Sequence, residues 1–360
     1  MILFSEDIFN TKIPTFTTVL EKADIDFLKD LIKKNYPQIF GESLLVFQNQ
    51  GNEVNASNFR IQVDTHEYSL KKFKNLKDEK LLRKIINLTA WLTEKNNPFP
   101  FVFENLQGET ITFDQERYVY CVSEFKHGRY FSGESLDECD TVAKAIGRMA
   151  KTINSCPQSL YTDNFVKHYN SYTEIFQEME ESRDKWPLLF GEELAFLLKS
   201  NWKLIIDIYS EVLNFESTYA SLEKKPFHID LHPHNILIQD KSISCFLDID
   251  SFCMDYIFIP ISFGFQKLVR QSICSMGAAK DPTKFKTIVN CFYEGIRSEF
   301  PNIQNEFANL NLYSNMEILR RINGIFGLNL KSQNRKWNHV LNIQVKGLTE
   351  SKLIFDNISK

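Results

Sequence analysis

The sequence has no stretch approaching the ~20 consecutive apolar residues that a membrane-spanning helix requires, so no membrane partner is expected. Its opening residues, MILFSEDIFNTKIP, bring acids early and lack a long apolar run, which argues against a signal peptide. No C-x-x-C pair occurs. The seven cysteines, Cys121, Cys139, Cys156, Cys245, Cys253, Cys274 and Cys291, are odd in number and scattered, so they read as reduced core residues of a cytoplasmic protein. Basic charge is not in excess: 42 Lys and Arg stand against 46 Asp and Glu, and the net charge of −4 gives no reason to expect nucleic acid as a partner. Internal repeats and low-complexity segments are also absent. What remains is an ordinary globular composition, 43% hydrophobic and 24% charged, in a chain of 360 residues that is long enough for two lobes. The 31 phenylalanines are expected to fill cores rather than stack on bases.

The most informative stretch runs from Pro226 to Phe252, PFHIDLHPHNILIQDKSISCFLDIDSF. It places His228, Asp230 and Asn235 in a short connection before the apolar run Ile236 to Ile238. A turn at Gln239 to Ser242 then leads into a second strand that ends in Asp248. Two strands joined by a tight turn hold Asn235 and Asp248 at one mouth of the hairpin, with Asp230 just outside it. Asp, Asn and Asp converging this way are hard oxygen ligands of the kind Mg²⁺ prefers, with one carboxylate left to take a proton from a hydroxyl. Phosphoryl transfer needs that arrangement. The same residues admit a zinc reading, because His228, Asp230, His232 and His234 alternate like ligands on one face of a strand. Pro233 interrupts strand pairing and weighs against it. The plainest alternative is an ordinary polar surface turn.

His228-x-Asp230, Asn235 and then Asp248 thirteen residues later resemble the catalytic and metal-binding segments of the aminoglycoside phosphotransferase and choline kinase-like superfamily, which shares the protein-kinase fold. There the segments commonly read H-G-D-x-x-x-x-N and I-D-F/W-D/E. Here Ile229 replaces the glycine, and the second element is Leu247-Asp248-Ile249-Asp250. The resemblance implies a two-lobed α+β fold, with a small mixed β-sheet lobe over residues 1–125 and a mostly helical lobe over 126–360. It implies ATP and Mg²⁺ as cofactors, Asp230 as the catalytic base, and Asn235 and Asp248 as metal ligands helped by Asp250. An aspartate commonly found about fourteen residues after the metal-binding one is missing: Ser262 stands there, with Asp255 earlier.

In the first lobe the apolar spacing predicts a helix over Ala23 to Tyr36 capped by Asp24, and strands at Leu44–Gln48, Phe59–Val63 and Glu67–Phe73. The connection Asn49 to Asn58 falls where the resemblance implies a phosphate-covering loop, yet it holds only Gly51. Strand alternation puts Tyr68, Leu70 and Lys72 on one face and Ser69 with Lys71 on the other. Likeness to the kinase V-A-I-K strand selects Lys71 as the phosphate cation, with Lys72 as fallback. A helix over Asp78 to Leu92 follows, with Glu79 in its first turn either favouring the helix dipole or pairing with Lys71. Strands at Phe101–Phe103 and Arg117–Val122 lead into Ser123 to Gly128, where the resemblance implies that backbone groups at Glu124 to Lys126 bind the adenine edge.

The second lobe is expected to be helical at Ser135–Ile153, Tyr172–Glu181, Glu192–Val212, Phe263–Cys274, Phe285–Phe300 and Asn315–Phe326. The implied reaction moves a phosphoryl group to a hydroxyl of a small molecule: an amino sugar, an amino alcohol, homoserine or a sugar. A cationic acceptor would want Glu174, Glu178, Glu180, Glu181, Tyr169, Tyr172 or Trp186. Against that, residues 315–360 carry eight Lys or Arg and only three Asp or Glu, which suits an anionic group. A nucleotide-binding protein without transfer activity and a zinc hydrolase remain the alternatives.

Overall fold

Alternation of apolar and polar residues builds the first sheet, and a helix covers its apolar face. The computed structural model describes residues 16–17, 22–41, 43–49, 56–74, 78–161, 172–335 and 337–359. After β1 (Phe16–Thr17), helix α1 (Lys22–Asn35) buries Leu28, Leu31 and Ile32 against Val46, Ile61 and Leu70 of strands β2 (Leu44–Asn49), β3 (Ala56–Val63) and β4 (His66–Phe73). Each such fully buried aliphatic side chain contributes about 1.5–3 kcal/mol. Asp24 lies within the first turn of α1 instead of capping it. Helix α2 (Glu79–Glu94) is capped by Asp78, whose carboxylate accepts from the Leu81 amide at 3.0 Å. Strands β5 (Thr112–Phe113) and β6 (Val119–Glu124) complete a sheet ordered β1-β2-β3-β4-β6-β5. Every described pairing in this small sheet is antiparallel. The strand expected at Phe101–Phe103 reduces to one bridge, Val102 to Ser123, because Pro98 and Pro100 remove ladder donors just before it.

The connection to the second lobe passes through β7 (Arg129–Tyr130), which pairs with β9 of the hairpin (Ile236–Gln239), so the chain crosses that strand closely. Gly128 allows this: it has φ of +146°, and a Cβ there would meet the Ile238 carbonyl oxygen at 2.9 Å. Helices α3 (Leu136–Asn154), α4 (Tyr172–Glu181), α5 (Trp186–Phe190) and α6 (Glu192–Ala220) come next. They are followed by β8 (Lys225–His228), then β9, β10 (Ser242–Phe246), β11 (Phe252–Asp255) and helices α7 (Phe258–Ser275), α8 (Pro282–Glu299), α9 (Leu310–Ser332) and α10 (Asn338–Asp356). Helix α7 starts five residues before its expected beginning. Every residue from Phe258 to Ile273 is buried, so no polar stripe marks where the helix begins. The sequence pattern missed α10 for a related reason, since Gln344, Glu350 and Ser351 are buried among its apolar residues. Among the described residues no helix is long and apolar enough to cross a membrane, and all seven cysteines are free thiols.

Charged side chains occupy the junction of α7, α9 and α10. Arg270 meets Glu350 at 2.8 Å, Arg320 meets Asp255 at 2.5 Å, and Lys267 donates to the Gln344 side-chain Oε1 at 3.1 Å. Burial, with Arg270 and Arg321 nearby, pushes the Lys267 ammonium down to about 7 from 10.5. The unfolded chain therefore binds a proton between these values that the folded chain resists, and the associated loss of stability fades as pH rises through that window. Lys267→Met is expected to be more stable than the parent at pH 7 by about 1–3 kcal/mol, because it removes a buried charge. The gap should narrow by up to about 1.4 kcal/mol per pH unit toward pH 8.5. Urea unfolding of both proteins checks this, and a gap that widens with pH contradicts the placement of Lys267.

Candidate active site

His228 closes β8 opposite Phe252 of β11 and is fully buried. Its Nδ1 accepts from the Asp230 amide at 3.2 Å, so Nε2 carries the proton and donates to the Leu247 carbonyl at 2.8 Å. One imidazole thus ties the loop bearing Asp230 to the residue before Asp248. Burial holds its pKa below the ordinary histidine value, which favours the neutral ring this bonding needs. Beyond the loop, β9 pairs with β10 through a turn in which Asp240 and Lys241 have φ of 48° and 64°. At the open end of that hairpin the Leu247 amide donates to the Asn235 carbonyl at 2.9 Å. Asn235 and Asp248 therefore flank the same mouth.

Five groups from three stretches, Lys71, Asp230, Asn235, Asp248 and Asp250, meet there. Asn235 Nδ2 donates to the Asp230 carbonyl at 2.8 Å and lies 3.3 Å from Asp230 Oδ2, which leaves the Asn235 amide oxygen for another partner. Lys71 Nζ reaches across from β4 to Asp248 Oδ1 at 2.7 Å and Asp250 Oδ1 at 2.6 Å. Asp248 sits at φ 58°, a left-handed conformation uncommon for any residue but glycine, and its Oδ2 accepts from Ser251 Oγ at 2.5 Å. Burial works to raise the Asp248 pKa, but the Lys71 ammonium and the Ser251 hydroxyl outweigh it and hold the carboxyl below its usual range. Burial and repulsion from Asp248 push Asp250 up to about 7. Two crowded carboxylates, bridged by the single Lys71 ammonium, and a neighbouring amide oxygen form a hard-oxygen set whose chemistry fits a divalent cation such as Mg²⁺. Asn235, Asp248 and Asp250 would hold it.

Residues 49–259, more than half of the chain, match the model of the phosphotransferase enzyme family. The chain belongs to this family. No curated protein sequence matches it, but solved structures share the fold. A spectinomycin phosphotransferase solved with ADP and spectinomycin superimposes with a TM-score of 0.64 at 17% identity, covering 92% of this chain and 98% of that one. An amicoumacin kinase solved in complex with AMP-PNP, Ca²⁺ and Ami gives 0.62 at 12% identity, with 93% and 96% covered. An ethanolamine kinase of Plasmodium vivax gives 0.57 at 15% identity, with 94% and 93% covered.

Not every expected residue of this phosphotransferase joins the cluster. Glu79 is exposed at the start of α2 and has no ion pair among the described residues, because Lys71 is drawn to Asp248 and Asp250 instead. Lys72 lies on the opposite strand face, its ammonium 4.0 Å from the Tyr118 ring centroid, and stays apart from the carboxylate cluster. The Glu124 amide donates to the Phe101 carbonyl at 2.8 Å and is not available to a base edge, while its side chain pairs with Lys126 at 2.7 Å. Lys126 follows the end of β6 and makes no backbone hydrogen bond among the described residues. The phosphate-loop expectation around Gly51 lies outside the described residues, as do Tyr169 and the side chain of Tyr172. Trp186 is fully buried, donates to the Met179 carbonyl and has the Arg183 guanidinium 5.8 Å from its ring centroid, so its ring is already engaged within the chain. Glu180 accepts from Arg183, and Glu181 from Gln177. The zinc set also fails to converge, since both nitrogens of His228 are hydrogen-bonded and His234 lies against the Tyr130 ring.

Sequence reasoning missed Ser251 and Arg321. Arg321 of α9 donates to Asp230 Oδ1 at 2.8 Å and to the Ile229 carbonyl at 2.9 Å. It stands 91 positions from Asp230, and no local pattern signals the pairing. Behind the loop, Gly264 of α7 packs against Leu231, where a Cβ would fall 2.8 Å from the Leu231 Cβ. Alanine at 264 would gain up to about 1 kcal/mol of helix propensity but would displace a backbone-anchored carbon, an overpacking cost of about 1–3 kcal/mol. Gly264→Ala is therefore expected to destabilise the protein by about 1 kcal/mol. An unchanged urea midpoint would show that the loop yields freely.

Proposed function

We propose that this phosphotransferase moves the terminal phosphoryl group of ATP to a hydroxyl of a small molecule with the help of Mg²⁺, across a border between lobes at residues 125 and 126. The observation that carries the reading is Lys71 bridging Asp248 and Asp250 from the opposite lobe, beside Asp230. Asp230 orients the acceptor hydroxyl and takes up its proton, while Asn235, Asp248 and Asp250 hold the metal. Bound Mg²⁺ would neutralise charge developing on the phosphates. Lys71 then leaves its carboxylate partners for phosphate oxygens, and the backbone past Glu124, at Lys126, contacts the base. Glu79 favours the N-terminus of α2. The acceptor classes this reading admits are amino sugars, amino alcohols, homoserine and sugars. The solved structures of spectinomycin, amicoumacin and ethanolamine kinases support the class of reaction.

An ADP-release screen over those four classes, with the phosphorylated product identified by mass, tests the proposal. Turnover with at least one class is the expected result. Stabilisation by ATP and Mg²⁺ with no turnover on any would favour a nucleotide-binding protein without transfer activity.

A further inference from the structure

The carboxylate of Asp230 is gripped from a helix distant in sequence. Arg321 spans the loop with two separate nitrogens, Nη1 on Asp230 Oδ1 at 2.8 Å and Nη2 on the Ile229 carbonyl at 2.9 Å. A planar guanidinium bonded to a side chain and to the adjacent main chain fixes the carboxylate in position and in rotation, which a single point charge does not. The guanidinium is itself fixed twice. Its Nε donates to Glu317 Oε1 at 2.9 Å, from a carboxylate buried one turn earlier on α9, and its plane lies 4.2 Å from the centroid of the Phe263 ring. The other Asp230 oxygen lies 3.3 Å from both Asn235 Nδ2 and His232 Nε2. Ser262, by contrast, stands where an aspartate supporting this loop was expected, yet its buried hydroxyl has no hydrogen-bond partner among the described residues. Asp255 is also engaged elsewhere, with Arg320.

We propose that Arg321 is the positioning residue for Asp230, so that α9 supplies the loop support that Ser262 cannot. The proposal rests on phosphoryl transfer with Asp230 as the base. Arg321 exchanges no proton with substrate in this role: it holds the accepting oxygen where the hydroxyl arrives, and a displacement of about 1 Å there costs on the order of a hundredfold.

Arg321→Gln and Arg321→Lys are to be compared with Asp230→Asn and the parent, using an acceptor from the ADP-release screen. Arg321→Gln is expected to lower kcat about 10–100-fold, to leave ATP affinity with Mg²⁺ within about twofold, and to change the acceptor KM little. Lysine keeps the charge but cannot make both bonds, so Arg321→Lys should recover only part of kcat and also serves if the glutamine variant does not fold. If Arg321→Gln keeps kcat within about threefold of the parent while Asp230→Asn is inactive, the positioning role is wrong and the transfer reading stands. If Asp230→Asn keeps near-parental turnover, the transfer reading itself fails. A thermal-unfolding double-mutant cycle between positions 230 and 321 needs no acceptor. A coupling of at least about threefold in the unfolding equilibrium is expected, and coupling indistinguishable from one overturns the pairing.

Discussion

Replacing Asp230 by Asn is expected to lower turnover by roughly 10²–10⁴-fold, the range a positioned general base supplies, while ATP binding with Mg²⁺ changes little. The amide has the shape of the carboxylate but cannot take the acceptor proton. The groups proposed to hold nucleotide and metal lie elsewhere, on Lys71, Asn235, Asp248 and Asp250, and the substitution leaves the contacts of Lys71 with Asp248 and Asp250 in place. The expected signature is therefore a fall in kcat with an almost unchanged nucleotide dissociation constant, read by coupled ADP release and by calorimetry. Some loss of stability should accompany it, since Arg321 and Asn235 both donate to the carboxylate. Retained turnover would remove Asp230 from the chemistry.

Substitution of Asp248 is expected to have the opposite signature. Asp248→Asn should weaken ATP binding in the presence of Mg²⁺ by about a hundredfold or more, an effect comparable with breaking a paired, buried charge, and should remove the dependence of binding on Mg²⁺. Asparagine suits this test better than alanine because the residue sits at φ 58°, where asparagine is tolerated and alanine is strained. Removing the charge relieves the repulsion that raises Asp250 but forfeits the pairing with Lys71 that holds the Asp248 carboxyl low, so some loss of folding stability should accompany the collapse of binding. Calorimetric titrations with and without Mg²⁺ measure the loss. If the variant binds ATP as tightly as the parent and still responds to Mg²⁺, the metal is held elsewhere.

Much of this arrangement was legible in the chain because its determinants are local. The turn at Asp240 and Lys241 fixes the register of the hairpin, and register alone brings Asn235 and Asp248 to one mouth. Alternation along β4 separates Lys71 from Lys72, and the structure sends the first to Asp248 and the second over Tyr118. Helix spacing worked where one face meets solvent, as in α1 and α2. It failed in α7 and α10, which are enclosed on several sides and so show no simple stripe.

Taken alone, the sequence determined most of the order of elements, a two-lobed architecture and a short hairpin rich in side-chain oxygens, all of them consequences of residue spacing within a few turns or strands. Tertiary structure alone decided which charges meet. It gave Lys71 to Asp248 and Asp250 rather than to Glu79, closed the Glu124 amide onto Phe101, buried Trp186 and brought Arg321 from α9 onto Asp230. Coulomb and hydrogen-bond energies depend on distances of a few ångströms in space, and residues far apart in the chain carry no record of such distances until the lobes pack.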